Sequence, residues 1–162
     1  MKTNKKGFLL AEETLKIILA VIAIGFLAYL LFSLYNSNKN AKDLELAEAS
    51  LEHLVKEIAS GSTEIEIYNP TTNNAWYVVG WPVSGERPLY CDNLGWEKCL
   101  CICKFSVLQM VTPSKLSKLC DDKGVCMESS ASVNDGGEFY IQIKEPPPLK
   151  LKINNAKEIS EK

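Results

Sequence analysis

Hydrophobic positions fall into three regimes along the chain. From Ile17 to Tyr35 (IILAVIAIGFLAYLLFSLY) nineteen successive residues carry no charge, and only Ser33 and the tyrosines are polar. A helix of that length extends roughly 28 Å, the thickness of the hydrocarbon core of a bilayer. Asn36–Asn40 (NSNKN) is polar and poor in helix formers, which predicts emergence from the bilayer and a bend there. From Ala41 the apolar positions step by three or four, through Leu44, Ala47, Leu51, Leu54, Val55 and Ile58. That is the period of an amphipathic helix. Asp43, Glu45, Glu48, Glu52, Lys56 and Glu57 fill much of the other side, and Gly61 is placed to cap the C-terminus. One long helix over 8–59 is predicted, apolar over 8–35 and amphipathic over 36–60. Its distal half shows too few clean heptads for a membrane-proximal coiled coil.

Beyond Gly61 the period changes to two. Glu64–Tyr68 alternates, and Ala75–Val79, Leu100–Val111, Phe139–Ile143 and Leu149–Ile153 are further strand candidates. Asn69-Pro70, Trp81-Pro82, Ser84-Gly85 and Asp135-Gly136-Gly137 separate them. Four or five strands against one helix face define an α+β head over 61–154, with a small, mainly antiparallel sheet. Pro146–Pro148 is expected to be a rigid connector or to hold the last strand at an edge. The charged tail over 155–162 is expected to be disordered.

Composition confirms that two solvents are involved. The chain has 162 residues and a formal net charge of −2, but residues 1–35 carry four Lys against two Glu, or +2. The remainder carries 14 basic against 18 acidic residues, or −4. A nucleic-acid partner is not expected, since phosphate binding needs a concentrated basic patch. A soluble head of about a hundred residues does not bury a helix that is apolar on every side, so the segment is read as a membrane helix. Lys2, Lys5 and Lys6 before it outweigh Lys39 and Lys42 after it, which places the N-terminus in the cytoplasm and the head outside. The run is longer than a secretory h-region, lacks a convincing A-x-A site and has no Cys before Cys91, so neither a cleaved secretory signal nor a lipoprotein anchor is expected.

The residues ahead of the apolar run form a motif. Lys5-Lys6-Gly7 is followed by Phe8-Leu9-Leu10-Ala11-Glu12, then by Glu13-Thr14-Leu15-Lys16. This order resembles the class III signal of type IV prepilins and related archaeal pilin-like proteins: a short basic leader ending in Gly, a Phe, and Glu at the fifth mature position. The resemblance covers about residues 1–35. It implies a leader over 1–7, cleaved between Gly7 and Phe8 by a prepilin-peptidase-like protease. It also implies a helix over 8–35 that assembles with copies of itself or other pilin-like subunits. The free amine of Phe8 would then neutralise Glu12 of a neighbouring copy. A carboxylate costs about 2.5–3.5 kcal/mol at the bilayer centre, so a partner is required. Lys16, four residues after Glu12, is the local alternative. Glu13, Lys16 and the lack of Pro within the helix depart from the family pattern.

The six cysteines, Cys91, Cys99, Cys101, Cys103, Cys120 and Cys126, all follow the membrane helix. An extracytoplasmic head is an oxidising setting, which favours disulfides. In Cys99-Leu-Cys-Ile-Cys103 the three sulfurs share one face of a strand, and next-but-one neighbours lie about 7 Å apart, too far to bridge. Each is expected to pair with one of Cys91, Cys120 and Cys126, which leaves six matchings. A Cys120–Cys126 bridge is the competing pattern. Metal binding by thiolates and free thiols also compete with disulfides here, but the spacings match neither zinc knuckles nor iron–sulfur motifs.

Catalytic chemistry is not expected. His53, the one histidine, lies on the polar side of the helix, and no phosphate-binding or dinucleotide fingerprint occurs. Glu64/Glu66 and Asp121/Asp122 fit a solvated strand face and a turn, and Asp121-Asp122-Lys123-Gly124 lacks EF-hand spacing. No cofactor is expected. Trp76, Trp81, Trp96, Tyr77 and Tyr90 are expected mainly in the core, with an adhesive surface patch as the alternative. The resemblance to type IV prepilins implies a structural subunit, major or minor, of a pilus-like surface filament, and these features agree with it. Two readings compete with it: a non-polymerising single-pass protein with an extracellular binding head, and a cytosolic head using its thiols.

Overall fold

A computed structural model describes residues 5–70, 76–105, 112–144 and 148–162, with side chains from Glu13 onward. The chain divides into two units after Ala41. Helix α1 (Lys5–Ser60) spans 56 residues. Asn36–Asn40, read from the sequence as a helix-poor exit from the bilayer, is helical throughout. The penalty of Asn and Ser relative to Ala is a few tenths of a kcal/mol each, and strong helix formers on both sides outweigh it. At its end Gly61 takes φ +82°, donating its N–H to Ile58 O while Ser62 donates to Glu57 O. These two bonds satisfy the last carbonyls in the manner of a Schellman cap, which a residue with a Cβ would strain.

The head contains β1 (Glu64–Ile67), β2 (Trp76–Trp81), α2 (Leu89–Asn93), β3 (Cys99–Lys104), α3 (Pro113–Lys123), β4 (Gly124–Glu128), β5 (Ser132–Val133), β6 (Tyr140–Gln142), β7 (Leu149–Ile153) and β8 (Glu158–Glu161). Among the described residues the strands form two four-stranded sheets, ordered β1-β7-β8-β5 and β4-β3-β2-β6. All pairings are antiparallel except β5 with β8. The expected α+β class with a mainly antiparallel head is therefore observed, but in two sheets instead of one.

Two cores follow from the alternation of the strands. In the first, Ala47, Leu51, Leu54 and Ile58 of α1 pack with Ile65, Ile67, Leu149, Leu151 and Ile159 of one sheet and Trp76, Val78, Leu100, Ile102 and Ile141 of the other. On the opposite face of β2 and β3, Tyr77, Val79, Trp81, Cys99, Cys101 and Cys103 pack with Cys91, Leu116 and Cys120. Sheet β4-β3-β2-β6 is thus buried on both faces, which explains why β2 is buried at every position.

Three expectations are corrected. Asp43, assigned to the solvated side of α1, is buried because Lys104 Nζ approaches its carboxylate to 3.0 Å. Lys104 also lies over the Trp76 ring, 5.5 Å from its centroid. The tail is ordered: Asn154 and Glu158 close a hairpin, and Ile159 of β8 is fully buried. Lys162 then binds Glu64 at 2.7 Å, and this hydrogen bond holds the Glu64 carboxyl below its usual pKa. One apolar residue suffices for a strand with neighbours on both sides. Finally, the third predicted strand ends at Lys104, with Phe105 buried and 106–111 outside the described residues. Residues 145–147, which include most of the proline connector, are also outside them.

Candidate functional site

The first candidate region is the proximal half of α1. Its large apolar side chains from Leu15 to Tyr35 expose between 38% (Leu30) and 69% (Leu31) of their surface. The stretch is long and apolar enough to cross a membrane. Such a surface needs a lipid or protein partner, because water around it carries the full hydrophobic penalty on every side. Gly7, Phe8 and Glu12 fall within the helical span, but their side chains lie outside the described residues. At the edge of the apolar run Lys16 Nζ lies 4.0 Å from Glu13.

The second region is the cysteine face of β3. Cys99, Cys101 and Cys103 each leave the strand for a different element. Cys99 bonds Cys91 in α2, Cys101 bonds Cys126 in β4, and Cys103 bonds Cys120 in α3. This is one of the six matchings that strand geometry allows, and no free cysteine remains. Register explains the central bridge, since Cys101 and Cys126 are direct cross-strand partners with Cα atoms 4.1 Å apart. Cys103 faces Gly124 across the same ladder. A Cβ on Gly124 would lie 2.7 Å from Cys120 O and 3.0 Å from Cys103 Sγ. Only a residue without a side chain lets α3 turn directly into β4 against this bridge.

Polar groups fix the elements that the bridges tie down. Thr112 Oγ1 accepts from Lys115 N and caps α3, with Pro113 opening its first turn. The Asp121 carboxylate accepts from Leu89 N and Tyr90 N at 3.0 and 3.1 Å, which caps α2. Asp121 is therefore a structural anchor of α2. Arg87 donates to Trp96 O at 2.7 Å and pairs with Asp92 at 2.8 Å, closing the loop that the Cys91–Cys99 bridge spans. Replacing Asp121 with Ala is expected to cost about 1 kcal/mol, the usual worth of a helix cap. The exposed neighbour Asp122→Ala should leave the urea midpoint unchanged. Equal midpoints for the two variants would remove the capping role.

At the far end of this core the Tyr77 ring stacks on Phe105, 4.2 Å between centroids, and meets Tyr140 edge-on. Burial pushes the Tyr77 phenol above its ordinary pKa, and a hydrogen bond to Glu138 does the same for Tyr140. Of the five aromatic residues that the sequence places in the core, Trp76, Tyr77 and Trp81 are buried. Tyr90 is exposed and meets the half-buried Trp96 edge-on at 5.8 Å, beside exposed Leu89 and Leu94. His53 is exposed on α1. A cavity of about 170 Å³ opens beside β4, lined among others by Glu48, Tyr90, Cys120, Asp121, Gly124 and Cys126.

The sulfurs of Cys91, Cys99 and Cys101 lie within 4.8 Å of one another. That spacing would suit a soft metal if they were thiolates, but all three are in disulfides, and a metal ligand needs the thiolate. Comparison with known protein families, with curated proteins and with solved structures finds no match.

Proposed function

We propose that the chain is a single-pass membrane protein of the type IV pilin-like kind, whose head lies outside the cell. In this reading Met1–Gly7 is a leader, removed by a prepilin-peptidase-like protease at the Gly7–Phe8 bond. The apolar half of α1 first holds the subunit in the bilayer and then packs against other subunits in a filament. The observation that carries the proposal is the helix itself. One continuous α1 begins with the Gly7-Phe8-Glu12 motif, continues as an apolar surface exposed on every side, and ends as the apolar stripe of the head's core. Three disulfides suit an oxidising exterior.

The N-terminus of the mature protein tests the proposal. Intact mass of the membrane-extracted chain should correspond to a start at Phe8, and Glu12→Ala should block filament assembly while leaving membrane insertion intact. A mature chain that retains Met1–Gly7 would exclude the pilin-like reading. If its head were still oxidised, a non-polymerising membrane protein with a binding head would take its place, and the exposed Leu89, Tyr90 and Leu94 are where binding would be sought first.

A further inference from the structure

The three bridges differ in their access to solvent. Cys91, Cys99, Cys101, Cys103 and Cys120 are buried to within 1%. Cys126 is only half-buried, lies on the outermost strand of its sheet, and lines the cavity beside β4. Its partner Cys101 has a second neighbour, because the Cys101 sulfur lies within 4.8 Å of both sulfurs of the Cys91–Cys99 bridge. Two disulfides therefore stand side by side in the second core, and of their four cysteines only Cys126 is less than fully buried.

We propose that Cys126 is a site of thiol–disulfide exchange with an external monothiol, and that Cys101 passes the exchange inward to the Cys91–Cys99 bridge. In the first step the thiolate of the incoming molecule bonds to Cys126 Sγ. The Cys101–Cys126 bond breaks and its electron pair leaves on Cys101 Sγ. In the second step Cys101 Sγ bonds to Cys91 Sγ, the Cys91–Cys99 bond breaks, and Cys99 Sγ leaves as thiolate, balanced by the proton that the incoming thiol gave up on ionising. Each step breaks one S–S bond and forms one, so nothing is oxidised or reduced overall. Closing from 4.8 Å to a bond of about 2.05 Å needs a shift of roughly 3 Å, within reach of a sulfur freed to rotate about its own Cα–Cβ bond. Cys91 is the target because Cys99, two residues along the same strand, is too far along it to bridge with Cys101. The product carries the external thiol on Cys126, a Cys91–Cys101 bridge and a free thiol at Cys99. The Cys103–Cys120 bridge is untouched.

Glutathione is the probe. The full-length oxidised chain in detergent is exposed briefly to glutathione at about pH 8, where thiolate is available, then quenched with acid, unfolded in guanidinium so that buried thiols are reached, alkylated with a maleimide at mildly acidic pH and mapped by fragmentation of its peptides. The expected result is a glutathione mass on Cys126 and a maleimide mass on Cys99. Glutathione first on any other cysteine overturns the proposed site, and glutathione on Cys126 with maleimide on Cys101 overturns the inward step. In a Cys91→Ser, Cys99→Ser variant, which keeps the outer bridge, the maleimide mass should move to Cys101. The wild-type map decides by itself if that variant does not fold.

Discussion

Full reduction of the three disulfides should unfold the head at room temperature while the proximal half of α1 stays helical. A bridge of this kind contributes about 2–4 kcal/mol, mainly by restricting the unfolded chain. Three together approach the whole stability of an ordinary domain, about 5–15 kcal/mol. The loss should be severe because the bridges share one strand. Each ties β3 to a different neighbour, so α2, α3 and β4 are all released at once. All three tryptophans belong to the head, and Trp76 and Trp81 are fully buried, so tryptophan fluorescence reports the head alone. Emission should shift to the red on reduction of the full-length chain in detergent, with most far-ultraviolet helical signal retained. An emission spectrum unchanged by reductant would mean that the first core holds the head together unaided.

The next largest effect is expected from Leu54→Ala. Leu54 is completely buried between α1 and both sheets, and removing a buried Leu side chain costs about 2–5 kcal/mol through lost transfer energy and the cavity left behind. Leu46, on the same helix, is 53% exposed, and Leu46→Ala should change stability by no more than about 0.5 kcal/mol. Both substitutions introduce the best helix former, so propensity cannot separate them. Urea titration followed by tryptophan emission should show a lower midpoint for Leu54→Ala and a wild-type midpoint for Leu46→Ala. Equal losses would show that the apolar stripe does not anchor the helix to the sheets.

The parts of this architecture legible in the sequence are those whose signal is periodic. Leu51, Leu54 and Ile58 recur at helical spacing and are buried; Glu64–Ile67 and Leu149–Ile153 alternate and form strands facing the same core. The alternation of cysteines in β3 limits the disulfides to six matchings because geometry forbids bridges within the strand. Choosing among the six requires the β3–β4 register and the α3 turn, which are long-range facts. Other elements escape a sequence reading for identifiable reasons. Helix α3 has a start signal in Thr112-Pro113, but its charged composition masks the apolar pair Leu116 and Cys120. Strand β4 follows α3 with no intervening residue, so Asp121–Gly124 resembles a turn. Asp43 and Ile159 belong where they do only because Lys104 and β7 await them across the fold. The cavity beside β4 has no sequence signature, since its walls come from α1, α2, α3 and β4.

Strand β3 obeys a parity rule that constrains how this chain can vary. Cys99, Cys101 and Cys103 hold the second core, while Leu100 and Ile102 between them fill the first. A single inserted or deleted residue in this strand would exchange the two sets downstream of it, sending sulfur into the aliphatic core and aliphatic side chains to where bridges must form. Neither core would survive the swap, and a change of two residues would restore the facing but move Cys101 away from Cys126 and Cys103 away from Gly124. Lineages that lose a cysteine must also find a use for its orphaned partner. The bridges are thus inherited in pairs, along a segment whose length is fixed by the partners on both of its faces.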